Sequence, residues 1–429
     1  MRRSPAALGA LVLTASVTGV TRAQQCPTDT TRGTLVVELS PGPGGETVAV
    51  ALSGAGGFTA TVEATTTLER RPAGPYRARL TRGERVIVDG APVGRAWSPV
   101  LRGSPACVRG GATARIAAGY AEEPGAHRLW IVDDMANQAL ALGAETLAAS
   151  GAPAPAARLG LAMNKAHAIA FDPAGNLWVA DISGQIASYG VWTLGRSGAA
   201  RARTSWTGPA AADPVALAFD AAGGLWVSSR QQRVTRFAPE QLRETRTPTP
   251  PVTLSVAEPS GLAFDAAGNL WVASAGRPPA VVRYAAARLD GSRAGPPDII
   301  VTAMSPPPVI DALSGPAGMA FDRDGNLWVG YFGPNVIARL TPDDLRASGK
   351  VTPAIQLSLA VGALLAGMAF DESGALWVPG ESGQVLRLAP EQLRRSGQVT
   401  PQVVLAPEGL RYAVGLAVNP VVSWSRAAR

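Results

Sequence analysis

A ten-residue stretch that occurs five times limits what this chain can fold into. It reads FDPAGNLWVA from Phe171, FDAAGGLWVS from Phe219, FDAAGNLWVA from Phe264, FDRDGNLWVG from Phe321 and FDESGALWVP from Phe370. Each copy reads as two short strands joined by a tight turn. The Asp accepts backbone N–H groups, and the Gly supplies the left-handed conformation that a short hairpin needs. The strand before the turn (AIAF, ALAF, GLAF, GMAF) and the LWV strand after it show no apolar–polar alternation. Both faces of such a sheet are expected to be buried, as in a sheet stacked between two others.

The period agrees. Tryptophans of the LW pairs stand at 130, 178, 226, 271, 328 and 377, at spacings close to that of a four-stranded propeller blade. A third strand follows each LWV (RVTRF, VVRYA, VIARL, QVLRL), then a short helical turn such as PEQLRRSG from Pro390, then a fourth strand such as VTPQVVL. Six LW strands predict six blades. The first copy, LWIVDD from Leu129, lacks its own inner strand, and the chain end carries a spare one, GLAVNP from Gly415. Pairing the two would close the ring and leave no open blade interface; an open solenoid of β-repeats is the competing architecture.

The segment before the repeats differs. TLVVEL, TVAVALSG, FTATVEAT, YRARL and ATARIAAGY are short alternating strands punctuated by Gly and Pro. The expected organisation is all-β: a signal peptide over 1–23, a β-sandwich over 24–121, an EEPG linker over 122–125 and the propeller over 126–429. The signal peptide is read from Arg2 and Arg3, the apolar run from about Leu8 to Val20, and cleavage after Ala23. Gln25 before Cys26 disfavours a lipoprotein site. No other long apolar run occurs, which predicts an exported protein without a transmembrane segment, periplasmic, cell-surface or secreted. Cys26 and Cys107 are the two cysteines, and export predicts that they form a disulfide.

Two resemblances add to this. PSGLAFDAAGNLW from Pro259 and PAGMAFDRDGNLW from Pro316 resemble the NHL and streptogramin-lyase-like propellers and, more distantly, the gluconolactonase group. LERRPAGPY from Leu68 resembles the turn of prealbumin-like or carboxypeptidase-regulatory-like modules, which serve as spacers or adhesion units.

The propeller resemblance implies that loops before each inner strand and after each LW strand meet at the channel mouth. It places Lys165, Asp213, Glu258, Tyr331, Asn335 and Arg411 there as candidate ligand contacts. Streptogramin lyases carry a His in the turn before the inner strand and an acid after the LW strand. His167 and Asp181 are the residues here that match, so they are the candidates for catalysis. The gluconolactonase group holds a divalent cation on hard oxygen ligands, which makes Asp213 and Glu258 the candidate metal ligands and Ca2+ the candidate cofactor. The FDRDGN stretch at Asp322 and Asp324 reads as a hairpin turn instead. The Pro-rich insertion from Met304 to Pro316 is a candidate lid or a tolerated surface loop.

The formal net charge of +7 falls to +4 once the signal peptide is removed, and its basic residues are scattered without stacking aromatics. That argues against nucleic-acid binding. The expectation is a monomeric exported binding or scaffold protein that presents its channel face to an envelope partner or to a protein, glycan or small-molecule ligand, without catalysis. A cation-dependent lactonase-like hydrolase or a streptogramin-type lyase is the alternative.

Overall fold

A computed structural model describes residues 26–208, 212–244, 248–291, 295–303 and 315–421. The expected signal peptide and nearly all of the Pro-rich insertion lie outside the described residues. The chain divides into two compact units: the described residues up to Glu84 with Pro99–Tyr120, and Arg85–Ser98 with Ala121 onward.

The first unit is a β-sandwich. One sheet pairs Arg32–Leu39 antiparallel with Thr66–Pro72 and parallel with Thr113–Glu122. The other runs Phe58–Val62, Ala49–Gly54, Gly74–Arg82 and Ala106–Val108 in spatial order. Leu35, Val37, Val50, Leu52, Tyr76 and Ile116 fill the space between them. Cys26 and Cys107 form a disulfide, with their Cα atoms 5.5 Å apart.

The second unit is a β-propeller built from six sheets among the described residues. From the axis outward, one blade runs Pro214–Phe219, Leu225–Ser229, Arg233–Phe237 and Val252–Ser255, all antiparallel. The other inner strands are Ala166–Phe171, Pro259–Phe264, Pro316–Phe321, Ala369–Phe370 and Ala413–Asn419. Neighbouring inner strands touch in a closed series, and Ala413–Asn419 meets both the last and the first of them. That C-terminal strand pairs antiparallel with Arg128–Asp133, as the two incomplete repeats at the chain ends predict.

The recurrent motif is a fastener. In the turn at Asp172, Oδ1 accepts the backbone N–H of Ala174 and Asn176, and Oδ2 accepts the indole N–H of Trp178 at 3.1 Å. Asp220, Asp265, Asp322 and Asp371 hold Trp226, Trp271, Trp328 and Trp377 in the same way. Asp322 is thereby a turn residue, as read from the sequence. Trp130, Trp178, Trp226, Trp271 and Trp328 then meet the Phe of the next blade edge-on, at 6.1 Å for Trp130 with Phe171 and 6.4 Å for Trp271 with Phe321. Aromatic pairs in this geometry contribute about 0.5–1.5 kcal/mol beyond burial. The motif therefore couples the turn of one blade to the core of the next.

A second belt runs round the outside. The Ser of the Ser-Gly pair after the helical turn accepts an N–H from the outer strand of the preceding blade. Ser197 takes Arg158 N, Ser348 takes Ile300 N, Ser396 takes Gln356 N and Ser150 takes Val404 N. The following residues pair in parallel with that strand, Gly198 with Leu159 and Gly397 with Leu357. Among the described residues, four of the six outer strands, which would otherwise expose unpaired groups, are covered in this way.

Arg85–Ser98 brings a hairpin into this unit: Val86 to Val88 pairs with Arg95 to Trp97. Val93 is buried among Leu129, Ile131, Leu416 and Val418 of the closing blade. The Arg85 guanidinium holds Glu123 through two hydrogen bonds, at 2.7 and 2.6 Å, and reaches Asn419 Oδ1 at 3.2 Å. The EEPG stretch, expected as a linker, carries in Glu123 a fully buried side chain.

Candidate functional site at the channel mouth

The inner strands line a channel with His167, Val215, Gly261, Met319, Gly367 and Gly415, one from each blade. Glycine lets the strands converge. A Cβ on Gly261 would stand 2.1 Å from Ala317 O, and one on Gly367 would stand 3.1 Å from Gly415 Cα. His167 is the titratable side chain in this lining. It lies at the register shift between Ala166 and Ala168, a bulge that re-aims the side chain at its apex. Burial first, then the Arg230 charge, bring its pKa down to about 4, with Asp213 working the other way. The imidazole is therefore neutral near pH 7.

A repeated contact builds the mouth. The residue just past each LW strand donates its N–H to the carbonyl of the loop that enters the inner strand. Ile182 donates to Lys165 at 3.2 Å, Arg230 to Asp213 at 3.0 Å, Ala275 to Glu258 at 3.0 Å and Phe332 to Gly315 at 3.2 Å. Asp134 donates to Tyr412 and Glu381 to Gly362. The ring of positions facing the mouth is thus Asp134, Ile182, Arg230, Ala275, Phe332 and Glu381.

The residue one earlier points inward and closes the loop. Asp181 is fully buried; its Oδ2 accepts Asn164 N, and its Oδ1 accepts Gln185 N and the Ser183 hydroxyl. Asp133 does the same for Arg411 N and Tyr412 N, while Ser229 and Ser274 donate to Ala212 O and Ala257 O. Asp181, the sequence candidate for the acid, is a structural fastener here. Tyr331 shares its position and is 3% exposed, packed with Trp271, Val281 and Val301 in the core. Burial pushes its phenol pKa far up. The structure removes Tyr331 from the mouth: the reading was one residue short, and one residue along a strand reverses the side chain.

Lys165, Asp213 and Glu258 lie in the loops that enter the inner strands, outside the lining of the channel itself. They occupy one position in three successive blades, all with left-handed backbone (φ 57°, 53° and 43°). Asp213 Oδ1 pairs with Arg230 Nη1 at 3.3 Å. Lys165 is close enough to Asp134 to oppose the rise in its pKa that burial and neighbouring Asp133 produce. Arg411 is exposed next to Tyr412. Asn335, also left-handed, lies in the following turn, where its Nδ2 donates to Val361 O at 3.2 Å.

The donors do not fit the calcium site that the gluconolactonase resemblance implies. Among the described residues no three His, Cys, Asp or Glu side chains come together as a metal site, and Asp213 is committed to Arg230. What the mouth offers is a neutral imidazole beside charges of both signs.

The fold and mouth define the chain as a β-propeller protein. No family model matches it, and no curated protein does. Among solved structures, it is similar in fold to a selenomethionine-substituted virginiamycin B lyase from Staphylococcus aureus, at 16% identity over 53% of this chain and 67% of that one, with a TM-score of 0.36. A catalytically inactive variant of that lyase, solved with quinupristin, matches at 14% identity over 72% and 87% of the two chains, with a TM-score of 0.41. A protein of unknown function from Bacteroides caccae matches at 12% identity over 67% and 97%, with a TM-score of 0.45.

Proposed function

We propose that this is an exported binding protein that takes a small polar ligand at the channel mouth and does not transform it. One observation supports this above others. Three successive blades hold Lys165, Asp213 and Glu258 in left-handed backbone, in the loops that enter the inner strands. That conformation costs an L-residue about 1–2 kcal/mol, and strain of this kind gathers at functional sites. The charges it presents, with Arg230 and Asp134 beside them, suit a ligand carrying both signs. Export is part of the same proposal; the Cys26–Cys107 disulfide fits an oxidising compartment.

His167 favours a second reading, a lyase or lactone hydrolase, because a neutral imidazole at a channel mouth can act as a general base. Thermal unfolding of the mature chain separates the two. Zwitterionic small molecules are screened, first with EDTA and then with millimolar Ca2+, Mg2+ or Mn2+. A bound ligand raises the midpoint by mass action. The binding reading expects a shift that is lost in Asp213→Asn or Lys165→Ala, with the ligand recovered intact. A ligand recovered cleaved, with cleavage abolished in His167→Gln, replaces it with the enzyme.

A further inference from the structure

The outer face of the second sandwich sheet forms a trough. Its registers place Thr61, Ala51 and Arg79 in one row across three strands, and Thr59, Ser53 and Arg77 in the next. All six side chains belong to the face opposite the core residues Val50 and Leu52. The floor is small, Ala51 and Ser53. One wall is hydroxyl-bearing and the other is basic, and the six line one concavity. Arg77 and Arg79 are exposed, and among the described residues neither forms an ion pair. The acid at the end of the trough, Glu63, is taken by Arg82 at 3.7 Å.

We infer that this trough binds an extended acidic peptide segment of a partner protein. Two guanidiniums at i and i+2 on one strand stand about 7 Å apart, the distance that separates i and i+2 side chains on any extended chain. A peptide lying along the trough with acidic residues at alternate positions would set both carboxylates on the arginine wall in register. The backbone groups between them would face the hydroxyls of Ser53, Thr59 and Thr61. Guanidinium and carboxylate match as forks of donors and acceptors. An acidic polysaccharide shares the charge, but the trough has no aromatic side chain for a sugar ring to lie on.

The test uses the whole mature chain and two labelled peptides of one composition, alternating Asp-Thr repeats and a block of Asp followed by a block of Thr. Fluorescence anisotropy is read at low and moderate salt. The proposal expects the alternating peptide to bind about five- to tenfold more tightly than the block peptide. It also expects Arg77→Gln with Arg79→Gln to remove that preference while Arg102→Gln keeps it. Both substituted side chains are exposed, and an unchanged unfolding midpoint verifies the fold. Equal affinity for the two peptides, no binding of either, or displacement of the alternating peptide by polygalacturonate at lower carboxylate concentration would each overturn it.

Discussion

Asp371 Oδ2 accepts the indole N–H of Trp377 at 2.9 Å, and both side chains are fully buried. The same oxygen accepts Arg387 Nε at 3.2 Å, while Oδ1 takes the N–H of Ser373 and Ala375. One carboxylate thus closes a turn, orients a core tryptophan and neutralises a half-buried arginine. Asp371→Ala leaves several buried donors without an acceptor and the Arg387 charge without its counter-ion, with Gln402 Oε1 and Ser373 Oγ as its remaining acceptors. Breaking a buried pair in this way costs about 3–5 kcal/mol, and the expected result is a lower unfolding midpoint. Asp371→Asn keeps one acceptor and falls between the variant and the parent chain. An Ala variant that unfolds with the parent would show that the turn is held by other contacts.

The ring is closed by two chain ends, and its closure is reinforced from elsewhere in the sequence. Arg85 holds Glu123 and Asn419 together, and Asn419 Nδ2 donates to Gly125 O at 2.9 Å. Glu123→Gln removes the charge that faces Arg85 in a buried site, with an expected loss of about 3 kcal/mol. Hydrogen exchange locates the effect. Protection should fall in Ala413–Asn419 and Arg128–Asp133 before it falls in Leu270–Ser274. A uniform loss across all blades would contradict a local closing role.

Glu258 has a φ of 43° and an exposed side chain, with Glu258 O held by Ala275 N. Glycine adopts this conformation without steric cost. Glu258→Gly is therefore expected to stabilise the fold by up to about 1 kcal/mol, offset in part by the freer unfolded chain. A ligand found by the thermal screen should bind this variant more weakly. A variant that is more stable and binds unchanged would remove Glu258 from the site.

The blade was legible because its determinants are local. Asp, Gly and Trp of the repeat act on one another within seven residues, so spacing alone reveals the turn. The closing strand was legible because two half-repeats complement each other at 129–132 and 415–418. The outer belt was not: Ser150, Ser197, Ser348 and Ser396 act on strands of a neighbouring blade, and an isolated Ser-Gly pair carries no mark of that partner. The mouth was half legible. Lys165, Asp213 and Glu258 share one position in the repeat and one backbone conformation, whereas Tyr331 was read as a mouth contact and Asp181 as a catalytic acid although LWV strands are buried to their last residue. The signal for this lies in the motif, since apolar residues on both faces leave no solvent side for the fifth position.

His167 gives the pH dependence its sign. Its pKa is about 4 in the fold and 6.5 in a free chain. The unfolded chain takes up the proton first as pH falls, so the contribution of a neutral His167 is fully present above about pH 6.5 and is lost towards pH 4. A depression of this size corresponds to about 3 kcal/mol at most. Asp220 and Asp298, held below the ordinary carboxylate range by Arg236 and Arg283 despite their burial, lose their contribution only at lower pH. Between pH 6.5 and 4.5 the Asp134 and Glu372 carboxyls, both raised by burial, work in the opposite direction, so the comparison with His167→Gln is what isolates the histidine. Unfolding midpoints of the parent chain should fall more across this window than those of His167→Gln. Equal slopes for the two proteins would mean that the imidazole is more hydrated than the channel lining implies, and His167 would then be charged at mildly acid pH and unsuited to the role of a neutral base.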